Sequence, residues 1–373
     1  MQSKNVQTVI FVSAAWAALA TVILPAARTQ LVPAAAFAQQ IHDLSEPGGS
    51  FDTDNLISNE RSYLHVIPAL KQPGIGGGAY IGVGPDQNFS YIAAARPSIA
   101  YIIDVRRDNL LLHLLFKALF QASSTRAEYL SHLFARRLRP PPDQWRAASL
   151  EKILTELDSA EPRQEDAQTL RKQLEAQIAG YGVPLSPQDY DTIDRFHRTF
   201  IDAGLGLKFQ TFGRAPQSYY PTYRELLFET NRQGQRANFL MAEDDYQFVR
   251  GLQQRDLIVP VVGNVAGPSA LAAIGRALRQ RGETVSVFYV SNVELYLFRD
   301  GLYSRYADTV SALPRNSHSL LIRSIFSGPG FWSLPDKAPG YASASLTERI
   351  DDFAADHAAH KDVAYESVVV PHH

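Results

Sequence analysis

Gly82 and Gly84 stand at the end of an apolar run, and Asp104 follows Gly84 by 20 residues in YIGVGPDQNFSYIAAARPSIAYIIDVRR, Tyr80–Arg107. Glycines at such a place let the backbone bend tightly and approach a ligand with no Cβ in the way. Pro85 suits a first helical position, and the free amides of a helix start favour a phosphate or carboxylate. Asp104, at the end of the next β-branched run, is placed to accept hydrogen bonds from both ribose hydroxyls of a nucleoside. Together these residues point to a nucleotide-type crevice, with a merely structural turn as the lesser alternative. Gln87 stands where the dinucleotide fingerprint has its third glycine. Arg106 and Arg107 could meet a 2′-phosphate, which keeps NADP as the lesser cofactor option.

Other polar residues follow apolar runs further along. Glu243, Asp244 and Asp245 come after Asn238–Met241, read as a short strand, and Asp244 could reach an adenine amino group. Acids also favour helix starts for their own reasons. Asn264 follows LIVPVV (257–262), while Ser291, Asn292 and Glu294 follow TVSVFY (284–289). Ligands of open α/β sheets bind just outside the carboxyl ends of strands, so Asn264, Asn292 and Glu294 are candidates for the substrate side. No P-loop, HExxH, GxSxG or zinc spacing occurs. The chain has no cysteine, which excludes disulfides and thiolate metal sites. His357 and His360 with Asp356 make too poor a ligand set, so no metal is expected. His113, in the apolar run LLLHLLFKALF, reads as a core histidine. Tyr219, Tyr220, Tyr223 and Phe228 suit core packing better than a pocket wall.

These residues need elements to hold them. Strands are expected at 79–84, 99–105, 238–241, 257–262, 284–289 and 320–326, alternating with helices. The pattern predicts an α/β fold with a mainly parallel, doubly wound, Rossmann-like sheet. Arg139-Pro140-Pro141-Pro142 breaks the chain. Leu150, Ile153, Leu154 and Leu157, then Leu170, Leu174 and Ile178, predict a helical hairpin, either a cap or a solvated decoration. The expected organisation is a signal or anchor at 1–38, an entry segment at 39–75 and a first half-core at 76–138. A helical insert at 139–200, a second half-core at 201–335 and a helical tail at 336–373 complete it.

Net charge of −2 and a pI near 6.6 give no electrostatic footprint for nucleic acid. The amino-terminal region differs from the rest. Lys4 precedes the apolar run Val9–Ala27, and no acid occurs before Asp43. Ala36-Phe37-Ala38 then supplies small residues at −3 and −1 for signal peptidase, with Gln39 as first mature residue. Removal of Lys4 and Arg28 with that segment takes the charge from −2 to −4. The expected location is therefore periplasmic or secreted. The alternative is an inner-membrane anchor at 9–27, an uncleaved segment being the only route to membrane contact. A small-molecule ligand is the expected partner.

The segment GVGPDQNFSYIAAARPSIAYIIDVRRDNLLLHLLFKALF, with FYVSNVELYLF, resembles an uncharacterised bacterial family with an S-adenosylmethionine methyltransferase-like Rossmann core. The resemblance spans roughly residues 75–330. It implies a methyltransferase-type sheet and S-adenosylmethionine as cofactor. The glycine motif would fall on Gly82 and Gly84, the ribose acid on Asp104, and the adenine-side acid on Asp244 or Asp245. Asn264 would stand near the acceptor. Asp86 replaces the third glycine of that pattern, and no Asn-Pro-Pro-Tyr signature follows the fourth expected strand. A non-catalytic periplasmic binding or scaffolding module with a degenerate crevice is the other functional expectation.

Overall fold

Six strands form one sheet in the order β3-β2-β1-β4-β5-β6. They are β1 (Ala79–Gly82), β2 (Ile99–Asp104), β3 (Ile258–Val262), β4 (Val285–Ser291), β5 (Arg315–Phe326) and β6 (Ser343–Arg349). The computed structural model describes residues 34–369 apart from 162–163, 214, 216, 329–330, 332–333 and 335–336. All strand pairs are parallel except β5–β6. This is the mainly parallel, doubly wound α/β arrangement expected, with its topological switch between β1 and β4.

The central strands are apolar throughout because helices cover both faces. Every residue of β1 and β3 is buried, as are the first five of β2. Pro260 sits in β3, which lies at the sheet edge, so its missing N–H costs no ladder bond to a further strand. The helix Arg107–Ala122 is buried along nearly its whole length because it packs on β3 and on the helices Gln164–Ala179 and Pro187–Ala203. The predicted hairpin exists as Leu150–Ser159 and Gln164–Ala179, and Leu150, Ile153, Leu154 and Leu157 face inward.

Two stretches fold otherwise than their patterns suggest. Residues 238–241 are a buried turn, in which the Asn238 side chain accepts from Leu240 N–H at 2.9 Å and donates to Tyr63 Oη at 2.9 Å. The polar-alternating 343–349, expected to be helical, pairs with β5 from Ser343↔Phe326 to Arg349↔Leu320.

The expected membrane contact is corrected here. Among the described residues no helix is long and apolar enough to cross a membrane, and the run at 9–27 lies outside them. The helix Ala34–Leu44 contains the expected processing site, and it buries Phe37, Ala38, Ile41 and Leu44.

Candidate functional site

A crevice of about 380 Å³ opens at the carboxyl ends of β1, β2, β3 and β4. That is where an open α/β sheet leaves room for a ligand, because the connections diverge at the switch point. Four of the sequence-predicted residues line it together: Gly84, Asp104, Asn264 and Asn292. Gly82, Asp244 and Glu294 are not among its lining residues.

The glycine turn is set by packing as much as by ligand access. Gly84 has φ +81°, a conformation open to glycine and strained for other residues. A Cβ on Gly82 would collide with Asn88 Oδ1. Asn88 in turn donates to the Val83 and Pro85 carbonyls at 2.9 and 2.7 Å and accepts from Tyr80 Oη at 2.7 Å. His113 Nε2 lies 2.9 Å from the Gly84 carbonyl, so its ring braces the turn from behind. Burial pushes that imidazole down to about 4, which keeps it neutral, and the nitrogen carrying the proton donates to the carbonyl.

Asp104 ends β2, where the sequence predicts a ribose contact, but its carboxylate already has a partner. Arg106 Nη2 lies 3.0 Å from Oδ2, and Arg106 Nε and N–H lie 3.2 and 2.9 Å from Oδ1. The same guanidinium donates to the Thr53 and Asp54 carbonyls at 3.2 and 3.0 Å, tying the entry segment across the strand ends. Arg107 is bidentate to Asp189 at 2.9 and 3.0 Å. Neither arginine is free for a 2′-phosphate.

Asp244 is exposed in the first turn of the helix Glu243–Gln254, where a negative charge offsets the helix dipole. Glu294 is turned into the protein, against Arg323. Since 238–241 is no strand, LIVPVV becomes β3 beside β2, and Asn264 stands at that outer edge of the crevice. Beside β1 stands β4, so Asn292 follows the strand position that the sequence mapping gives to the strand before Asn264.

The loop 263–269 is filled from within. The Glu46 carboxylate accepts from the N–H groups of Asn264, Ser269 and Ala270 and from Ser269 Oγ, each at 3.0 Å. It thereby satisfies donors at the start of the helix Ala270–Arg281 that would otherwise suit an external anion. Glu46 N–H donates to Val262 O and Gly49 N–H to Val105 O, at 2.9 and 2.7 Å. The entry segment is thus bonded to the strand ends, and none of the crevice-lining residues belongs to the helical insert.

Glu60 carried no sequence signal, since a lone glutamate in SNERSYL reads as surface. It is 1% exposed and lines the crevice beside β4. Tyr289 Oη and Ser324 Oγ donate to its Oε2 at 2.9 and 2.5 Å, and Ser291 Oγ donates to Oε1. Burial pushes its carboxyl above the usual glutamate range, and the three hydroxyls oppose this only in part. Ser291 has φ +55°, sparsely populated for a serine and found where function tolerates strain. Thr53 Oγ1 and Gln87 Oε1, in crevice-lining residues 4% and 6% exposed, are buried with no hydrogen-bond partner. Tyr219 and Tyr220 line the crevice, whereas Tyr223 is core, so the aromatic cluster divides between wall and interior.

Asp86, in the third-glycine position, is buried and accepts from Tyr223 Oη at 2.7 Å. Burial raises its carboxyl from 3.8 to about 6. A raised acid contributes stability below 3.8 that is lost as pH rises through about 6. Asp86→Asn keeps the acceptor for Tyr223 and removes the charge, so it stabilises the protein at pH 8 by roughly 1–3 kcal/mol. His113 and His197, both lowered from 6.5 to about 4 by burial, act oppositely. Their contribution is present above 6.5 and lost as pH falls through about 4. The variant-minus-parent difference in urea unfolding isolates Asp86, and it should grow between pH 4 and pH 7. A flat difference would refute the assignment.

Among the described residues no group of three or more His, Asp or Glu side chains could hold a metal ion. The fold and crevice define a Rossmann-like α/β protein with a pocket at its switch point. The chain belongs to the family described as domain of unknown function (DUF7790), which matches residues 56–370. No curated protein matches it.

Proposed function

We propose that the crevice binds an S-adenosyl-type nucleoside and that the protein is a methyltransferase-like enzyme. The observation that carries this reading is the pair of buried, unpartnered atoms, Thr53 Oγ1 and Gln87 Oε1, in the wall that also holds Gly84 and Asp104. Buried polar atoms without partners are rare and costly, and a ligand would satisfy them. Gly84 would admit the ligand close to the backbone, Asp104 Oδ2 retains capacity for a ribose hydroxyl, and Asn264 would face the base. Asn292 would stand at the acceptor. The antiparallel β6 departs from the six-strand dinucleotide sheet, and both arginines are spent, so NADP fits less well.

A second reading rests on the Asp104–Arg106 pair. A carboxylate already held by a guanidinium suits a non-catalytic binding or scaffolding module with a degenerate crevice. The proposed periplasmic or secreted location, which rests on residues 1–38 and is checked by intact mass of the fractionated protein, favours this second reading, because a chain exported unfolded carries no S-adenosylmethionine with it.

Thermal unfolding with S-adenosylmethionine, S-adenosylhomocysteine and NADP separates the two. Ligand at 100 times its dissociation constant adds about 2.7 kcal/mol, and Asp104→Asn should abolish the shift. No stabilisation by any of the three at millimolar concentration would remove the enzyme reading and leave the second.

A further inference from the structure

Four charged residues line the crevice: Glu60, Asp104, Asp300 and Arg106. The one guanidinium is committed to Asp104, and Asp300 lies 3.0 Å from Arg299. Glu60 alone is answered only by hydroxyls. Behind it the dipoles continue without a cation, from Ser324 to Ser345 at 3.3 Å, to Ser62 at 3.0 Å and to Ser343 at 2.9 Å. Its neighbour Arg61 reaches the other way, to Glu229 at 3.1 Å. Hydroxyl dipoles orient a carboxyl but do not neutralise it, and a buried carboxyl without a counter-charge is costly when ionised.

The rest of the wall suits the missing charge. Phe51, Phe209, Tyr219, Tyr220, Tyr296 and Phe326 bring aromatic rings to the crevice, with Phe51 and Tyr296 edge-to-face at 4.9 Å. Aromatic faces attract cations, most strongly in desolvated sites. An anionic ligand would meet three carboxyls and no free cation among these lining residues.

We propose that Glu60 is the anchor for a protonated amine on the ligand, so that the crevice selects ammonium-bearing small molecules. The inference deepens the reading of the crevice as a ligand site and rests on it. Tyr289 and Ser291 hold the carboxyl on the β4 side, next to Asn292, so the amine would lie on the acceptor side and away from Asp104. An ammonium there supplies the counter-charge that lets Glu60 ionise in place.

The test uses matched probes that differ only in charge. Tyramine and putrescine should raise the thermal midpoint of the full chain, whereas tyrosol and 1,4-butanediol should not. Glu60→Gln keeps an acceptor for Tyr289 and Ser324, and it should weaken the amines at least about tenfold. Alcohols that stabilise as well as amines, amines that bind Glu60→Gln unchanged, or no stabilisation by any amine at millimolar concentration would each overturn the proposal. The alcohol comparison needs only the unaltered protein, so it stands even if the variant fails to fold. Binding of S-adenosylmethionine is scored separately by its loss in Asp104→Asn, which keeps failure of the cofactor reading distinct from failure of this one.

Discussion

Replacing Arg323 by methionine lowers the free energy of unfolding by about 3–5 kcal/mol, the cost of leaving a buried carboxylate without its cation. Arg323 Nε lies 2.7 Å from Glu294 Oε2, and their side chains are 6% and 2% exposed. The same guanidinium reaches Glu348 Oε2 at 2.6 Å across the β5–β6 ladder. Without it Glu294 keeps only Tyr306 Oη, at 3.3 Å, and must take up a proton or unfold the strand ends around it. The double variant Arg323→Met with Glu294→Leu should recover most of the loss, because an apolar pair needs no compensation. Glu348 is 24% exposed and can turn to water. Urea unfolding of the three proteins checks this, and a loss below about 1 kcal/mol in the single variant would sink the account. The pair also explains why Glu294, polar and two positions after Asn292, is not among the crevice-lining residues.

Phe37→Ala should cost about 3–5 kcal/mol, the range for deleting a buried aromatic side chain. Phe37 is 1% exposed. Its ring stands edge-to-face with Tyr181 at 6.3 Å, and the Lys117 ammonium lies 4.7 Å from its centroid. Lys117 is itself buried and paired with Asp256 at 2.6 Å. The helix Ala34–Leu44 lies against β3 and the helix Ala270–Arg281, so the cavity would open beside an edge strand. A chain beginning at Gln39 lacks this ring as well, and it should unfold at lower urea than one beginning at Ala34. Equal midpoints would mean that the Phe37 contact contributes nothing. The comparison bears on the proposed export, because processing after Ala38 would remove a side chain that the fold has buried.

The candidate site was partly legible in advance. Gly84, Asp104, Asn264 and Asn292 could be picked out because each follows a β-branched run, and polar residues at strand ends converge in any doubly wound sheet. Glu60 and Thr53 could not. Their role depends on an irregular segment bonded over the strand ends, and such a segment has no period to read. Glu294 and Asp244 had the right residue type in the right loops, but Glu294 turns to Arg323, 29 positions on, and Asp244 is exposed in the first turn of a helix.

By itself the sequence determined the local units: the strand, glycine turn, helix and strand from Ala79 to Asp104, and the apolar runs that became β3 and β4. Period and turn chemistry act within a few residues and are written there. Tertiary structure alone decided which strand lies beside which. Replacing the expected strand at 238–241 by a turn moved Asn264 to one side of the crevice and Asn292 to the other. It also decided that Arg106 closes on Asp104, that Glu46 fills the 263–269 loop, and that Glu60 is buried with hydroxyls and no cation. Those outcomes are set by desolvation and by which charges meet in space, and both depend on contacts between segments up to 264 residues apart.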